Sequence, residues 1–110
     1  MTYKACGGNP SKADEDAAKG LFQAGKTAYN EADYPRAIQY WRDAFERDCT
    51  AVLLLQNLAN AYEKSGNIDA AILSLETYLK RKPDDAEAPT IQKRIENMRR
   101  LKKDTAPPPA

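Results

Sequence analysis

The sequence predicts an all-α fold, with two helical hairpins stacked in series and closed by a fifth helix. Three observations carry this. The middle of the 110-residue chain is rich in Ala, Leu, Ile, Glu, Lys and Arg, the residues that favour helix. Apolar residues recur there three or four positions apart, the spacing of a single helix face. A shift of 34 residues lays the chain upon itself, and a fixed period of that length marks a repeated supersecondary unit.

Met1–Pro10 reads as an arm, broken by Gly7-Gly8-Asn9-Pro10. Ser11, with Asp14, Glu15 and Asp16 behind it, is a helix start: the hydroxyl caps a free N–H and the acids suit the positive end of the dipole. The first helix runs from about Lys12 to Glu31 and buries Leu21, Ala24, Gly25 and Ala28. Ala32-Asp33 turns the chain; Asp33 caps the second helix and Pro35 fits its first turn. That helix carries the stripe Ala37, Ile38, Trp41, Ala44 and Phe45 and breaks at Asp48-Cys49-Thr50. The third helix runs from about Ala51 to Ser65 on Leu54, Leu55, Leu58, Ala61 and Tyr62, and Gly66-Asn67 is a left-handed stop. The fourth, Ile68 to about Arg81, carries Ala71, Ile72, Leu75, Tyr78 and Leu79 and closes at Pro83. Asp84 or Asp85 caps a fifth helix, over about residues 86–103, with Pro89 in its first turn. Its single stripe is Ile91, Ile95, Met98 and Leu101, with charge elsewhere, as expected of a helix that covers a core on one side and meets water on the other. Residues 104–110 end in Pro107-Pro108-Pro109, a polyproline tail or linker.

The overlay is specific. Leu21 falls on Leu55, Gly25 on Ala59, Ala37 on Ala71, Trp41 on Leu75, Phe45 on Leu79 and Arg47 on Arg81. Small residues stand where helices must approach closely, and large ones where a gap must be filled. Burying Trp41, Phe45 and the Leu and Ile set contributes roughly 1.5–3 kcal/mol each. These positions resemble the tetratricopeptide repeat family. The first unit reads Leu21, Ala24-Gly25, Ala28, Ala37, Trp41, with Cys49 where proline is usual; the second reads Leu55, Leu58-Ala59, Tyr62, Ala71, Leu75, Pro83. The resemblance implies a right-handed solenoid. Its units would be repeat 1 over about 18–51, repeat 2 over about 52–85 and a terminal capping helix. Two repeats are fewer than the three usually needed for stability, so the arm, the fifth helix or a neighbouring chain must supply burial. The tyrosine-rich first unit, leucine-rich third helix and proline tail also resemble bacterial cell-envelope modules of the family.

In this family the first helix of each pair lines a concave groove. The resemblance therefore implies a peptide site at Phe22, Lys26, Tyr29, Asn30, Gln56, Asn57, Asn60 and Lys64, with Lys19, Leu53 and Glu63 on the same face. Asn and Gln offer donors and acceptors to an extended backbone; Phe22 and Tyr29 offer flat apolar anchors, or else pack against the arm. Members that grip a C-terminal carboxylate keep a lysine and an asparagine where this chain has Phe22 and Lys26. Only Asn57 matches, so that clamp is not expected. Cys6 and Cys49 flank the same end of the first hairpin and can form a disulfide that tethers the arm or remain free thiols.

The implied function is a non-catalytic adaptor or scaffold that binds a protein or peptide segment. The alternative is a self-associating structural module of a larger cell-envelope protein, as a homo-oligomer or part of a longer chain. No histidine is present, which removes the commonest general base and metal ligand. No nucleophile–base pair, phosphate loop or metal cluster is recognisable, so no cofactor, metal or catalysis is expected. Net charge is +1, with 8 basic and 11 acidic groups in residues 1–79 and 9 against 5 in residues 80–110. The cluster Lys93, Arg94, Arg99, Arg100, Lys102 and Lys103 reads as the solvated face of an end helix, and no nucleic-acid partner is expected. No run of apolar residues predicts membrane insertion. With no leader segment visible the chain reads as cytoplasmic, or as periplasmic if it is a fragment carrying the disulfide.

Overall fold

The computed structural model describes residues 2–105, so the triple proline lies outside the described residues. Five helices follow one another: α1 (Lys12–Asn30), α2 (Tyr34–Arg47), α3 (Leu53–Lys64), α4 (Ile68–Arg81) and α5 (Ala88–Thr105). Each packs chiefly on its neighbour in sequence, with α1 on α2, α2 on α3, α3 on α4 and α4 on α5. This is a stack of two hairpins with a closing helix, elongated at 52 × 33 × 24 Å. No helix among the described residues is long and apolar enough to cross a membrane.

The caps follow from the residues named above. The Ser11 side chain accepts from the Asp14 N–H, Asp33 from that of Arg36, and Asn67 from that of Ala70. The two hairpin turns are copies of one another. Asp33 N–H donates to Ala28 C=O and Asn67 N–H to Tyr62 C=O, both at 2.8 Å. Each turn needs one left-handed residue: Gly66 at φ 85° in the second and Ala32 at φ 60° in the first. Glycine adopts this conformation freely, whereas alanine there costs about 1–2 kcal/mol.

Two starts differ from expectation. Helix α3 begins at Leu53, because Asp48 holds the preceding residues in a turn: its carboxylate accepts from the Thr50 N–H and its carbonyl from the Ala51 N–H. Helix α5 begins at Ala88, not directly after Asp85, whose carboxylate accepts from the Glu87 N–H and the Tyr78 hydroxyl. The same bond holds the Tyr78 phenol above its ordinary pKa and the Asp85 carboxyl below its own.

The core runs through the stack. Ala37, Ala44, Leu55, Leu58, Ala59, Ala61, Ala71, Leu75 and Ile95 are fully buried. Leu21 and Ala24, expected on the buried face of α1, are only half-buried, and the closest approach is made by Gly25. Helix α5 buries Ile91, Ile95 and Met98 but not Leu101, which is exposed at the end of the stripe. Half of its basic cluster is not a free surface: Arg94 pairs with Glu63 and Arg99 with Glu76, both at 2.7 Å, and Lys102 pairs with Asp69. These residues pin the closing helix to α3 and α4.

The arm supplies burial on the opposite side. The Tyr3 ring meets Phe45 edge-on, with centroids 5.8 Å apart, and its hydroxyl lies 2.6 Å from Ser74 Oγ. Ser74 is fully buried and also donates to the Ala70 carbonyl. Arg81 donates to the Lys4 carbonyl and sits over the Phe45 ring. A disulfide joins Cys6 to Cys49. Burial, offset in part by the bond to Ser74, pushes the Tyr3 phenol up to about 12.

The unfolded chain therefore loses the Tyr3 proton near pH 10 while the folded chain keeps it, and stability falls between about pH 10 and 12. Tyr78, raised as well, acts in the same direction. Tyr3→Phe is expected to remove one proton's share of that slope, about 1.4 kcal/mol per pH unit. Urea titrations across this range would show it; identical alkaline slopes would place Tyr3 outside the core.

Candidate functional site

The face shared by α1 and α3 is built around one aromatic stack. Trp41, projecting from α2, lies under α1, where its Nε1–H donates to the Phe22 carbonyl at 3.0 Å. The Phe22 ring stacks on it with centroids 6.4 Å apart, and Tyr29 tilts against it at 5.6 Å and meets Tyr34 edge-on. The two proposed anchors therefore rest on Trp41, not on the arm, which runs along α2 towards α4. Each remains half-buried, with one side still turned to solvent.

Beside Phe22 the stack leaves a cavity of about 550 Å³ between α1 and α3. Its floor is apolar, made by Ala18, Phe22 and Leu54, and Leu53 stands at its edge. Leu53 is 64 % exposed, the most exposed large apolar side chain among the described residues. Gln56, Asn57 and Lys19 supply polar groups to the lining, with Glu15 and Asp48 at the end where α1 begins. Of the residues expected along the groove face, this cavity gathers Lys19, Phe22, Leu53, Gln56 and Asn57. Lys26, Tyr29, Asn30, Asn60 and Lys64 lie further along the same two helices, outside its lining.

Asn60 is partly committed. Arg94 of α5 donates to its Oδ1 at 2.8 Å and to Glu63 at 2.7 Å. Lys26, Asn60 and Arg94 are spaced 34 residues apart, so α5 continues the line of α1 and α3 and contributes Arg94 to the same face. Extending the overlay into the fifth helix exposes this signal, which the grouping of Arg94 with its basic neighbours conceals. Among the described residues no group of His, Cys, Asp or Glu could hold a metal ion.

Two helical hairpins followed by a closing helix, with small residues at the crossings, have this geometry, and the family model described as tetratricopeptide repeat matches residues 21–95. The chain belongs to the tetratricopeptide repeat family. No curated protein matches it. The match begins at Leu21, within α1, runs through the second hairpin and reaches Ile95, so most of the closing helix's buried stripe falls within the tetratricopeptide pattern. Cys49, standing where the family's closing proline is usual, holds the arm through its disulfide.

Proposed function

We propose that this tetratricopeptide module is a non-catalytic adaptor that binds an extended peptide segment along the α1–α3 face. The observation that carries the reading is the apolar cavity with Leu53 exposed at its rim. An exposed leucine beside an open apolar floor is unfavourable in water, and covering both with a partner's side chain removes that cost. The flanking amides of Gln56 and Asn57 can hold a peptide backbone while the anchor is seated. Self-association through the closing end is less well supported. The outward residues of α5 include Lys93, Glu96 and Arg100, all exposed, and burying them would require desolvating charge.

The test is selection from a random dodecapeptide display library on the intact, oxidised chain. Leu53→Ser is the informative variant, because an exposed side chain contributes little to the fold. Peptides recovered on the wild-type chain are expected to bind Leu53→Ser at least about tenfold more weakly, the loss of a part-buried anchor of about 1.4 kcal/mol. Its melting temperature should stay within a few degrees of wild type. Recovered peptides that bind both chains equally would remove the groove.

A further inference from the structure

The loop between α2 and α3 serves two cavities at once. Asp48 and Ala51 line the groove cavity, and Leu53 and Leu54 follow as its edge and floor. Cys49, within the same loop, lines a separate cavity of about 360 Å³ under the arm, with Tyr3, Lys4, Arg42 and Phe45. Its sulfur is bonded to Cys6, so the wall of the groove is fastened to the arm. Arg81 reinforces the joint. One guanidinium nitrogen donates to the Cys49 carbonyl at 3.3 Å and another to the Lys4 carbonyl at 2.8 Å.

The fastening falls where α3 has little hold of its own. The side chains of Ser11, Asp33 and Asn67 cap α1, α2 and α4. Val52, preceding α3, has a helical backbone and makes no side-chain cap bond. Two backbone bonds close this start, Leu54 N–H to the Ala51 carbonyl and Leu55 N–H to the Val52 carbonyl, both at 3.0 Å. A helix start without a side-chain cap is the less stable kind. This one carries Leu53, Leu54, Gln56 and Asn57, all in the cavity lining.

We infer that the Cys6–Cys49 disulfide regulates the α1–α3 groove, holding its α3 wall in place when oxidised and loosening it when reduced. The inference rests on the groove reading above and adds the control of that site. Cys6 is exposed and open to a dithiol reductant. One thiolate of the reductant attacks the Cys6 sulfur, and Cys49 leaves as a thiolate. The second thiolate of the reductant then displaces Cys6 from the mixed disulfide. The chain takes up two electrons and two protons and ends with two thiols, while the reductant ends as a disulfide. Cys49 has then lost its covalent anchor, and the first turn of α3 opens more often. Apparent affinity falls with the fraction of molecules whose wall is formed. By linkage, a bound peptide resists reduction of the disulfide by the same factor.

Amide hydrogen exchange on the oxidised and the dithiothreitol-reduced chain tests the coupling without a ligand. On reduction, Leu54 and Leu55 are expected to accelerate at least about fivefold more than Arg36 and Ala70, at the capped starts of α2 and α4, fivefold being the lower end of ordinary coupling between sites. Equal acceleration at all four would overturn the coupling, because the bond would then act on global stability alone. Cysteine-free dodecapeptides recovered on the oxidised chain should bind the reduced chain at least about fivefold more weakly. Saturating peptide should raise the ratio of reduced to oxidised dithiothreitol at half-reduction by the same factor. Leu53-dependent peptides that bind both forms equally would overturn the regulation and leave the groove standing. Recovery of no Leu53-dependent peptide would overturn the groove and its regulation together.

Discussion

Gly25→Ala is expected to destabilise the chain by about 2–4 kcal/mol, although alanine is the better helix former by about 1 kcal/mol. A Cβ at Gly25 would lie 2.4 Å from Trp41 Cδ1 and Nε1 and 2.9 Å from Cε2. The obstruction is a rigid indole, 4 % exposed, held between Phe22 and Tyr29 and bonded to the Phe22 carbonyl. Overpacking of this kind costs about 1–3 kcal/mol. Displacing the ring also leaves its N–H without a partner, at about another 1–3 kcal/mol. In a domain of this size the melting temperature should drop by on the order of 15 °C, measured by circular dichroism. Gly20→Ala is the control: no atom lies within 4 Å of its Cβ position, so it should be neutral or slightly stabilising. If both glycine variants melt together, the close crossing of α1 over Trp41 does not exist.

The second repeat solves the same crossing in another way. Where the first pairs Gly25 with Trp41, the second pairs Ala59 with Leu75, both fully buried. Gly25→Ala combined with Trp41→Leu transplants that pair and is expected to recover part of what Gly25→Ala loses, a coupling that a double-mutant cycle measures.

This exchange explains why so much of the fold was legible. The period places each residue against its counterpart, and a smaller residue on one helix of the crossing is met by a larger one on the other even where identity is not kept. What stayed hidden depends on contacts that no periodicity encodes. Tyr3 reaches Ser74 across 71 positions, and nothing local to either residue announces the other. Phe22 and Tyr29 stand on the expected face, but how much of each ring is spent on Trp41 is decided by the crossing of α1 and α2. The strained Ala32 was readable only as a turn, because its left-handed backbone is imposed by the hairpin geometry that Gly66 adopts without cost. The cavity itself needed Ala18, Leu54 and Leu53 brought together from two helices. The overlay aligned those helices but could not measure the space between them.

Removing the disulfide is expected to be the other large loss. Cys6 and Cys49 are 43 residues apart with Cα atoms 5.5 Å from each other. Closing a loop of that length restricts the unfolded chain by about 4 kcal/mol in the chain-entropy treatment, and measured cases typically give 2–4 kcal/mol. The bond also decides where the arm sits. Without it, the arm is held by the Tyr3 ring on Phe45, the Tyr3–Ser74 bond, the Arg81–Lys4 bond and an exposed Lys4–Glu46 pair. Burying one aromatic ring contributes about 1.5–3 kcal/mol and each hydrogen bond about 1 kcal/mol. Ordering the backbone of residues 2–10 opposes this at about 1–2 kcal/mol per residue, so the arm should leave its site when the tether is cut. Cys6→Ser with Cys49→Ser is therefore expected to lower the urea midpoint and, in the same protein, to return the Tyr3 phenol from about 12 towards the ordinary tyrosine range. Reducing the wild-type chain should reproduce both changes. The two readouts separate the two roles of the bond: a lower midpoint with Tyr3 still titrating late would mean that the side-chain contacts alone hold the arm. An unchanged midpoint would mean that the tether restricts nothing the unfolded chain explores.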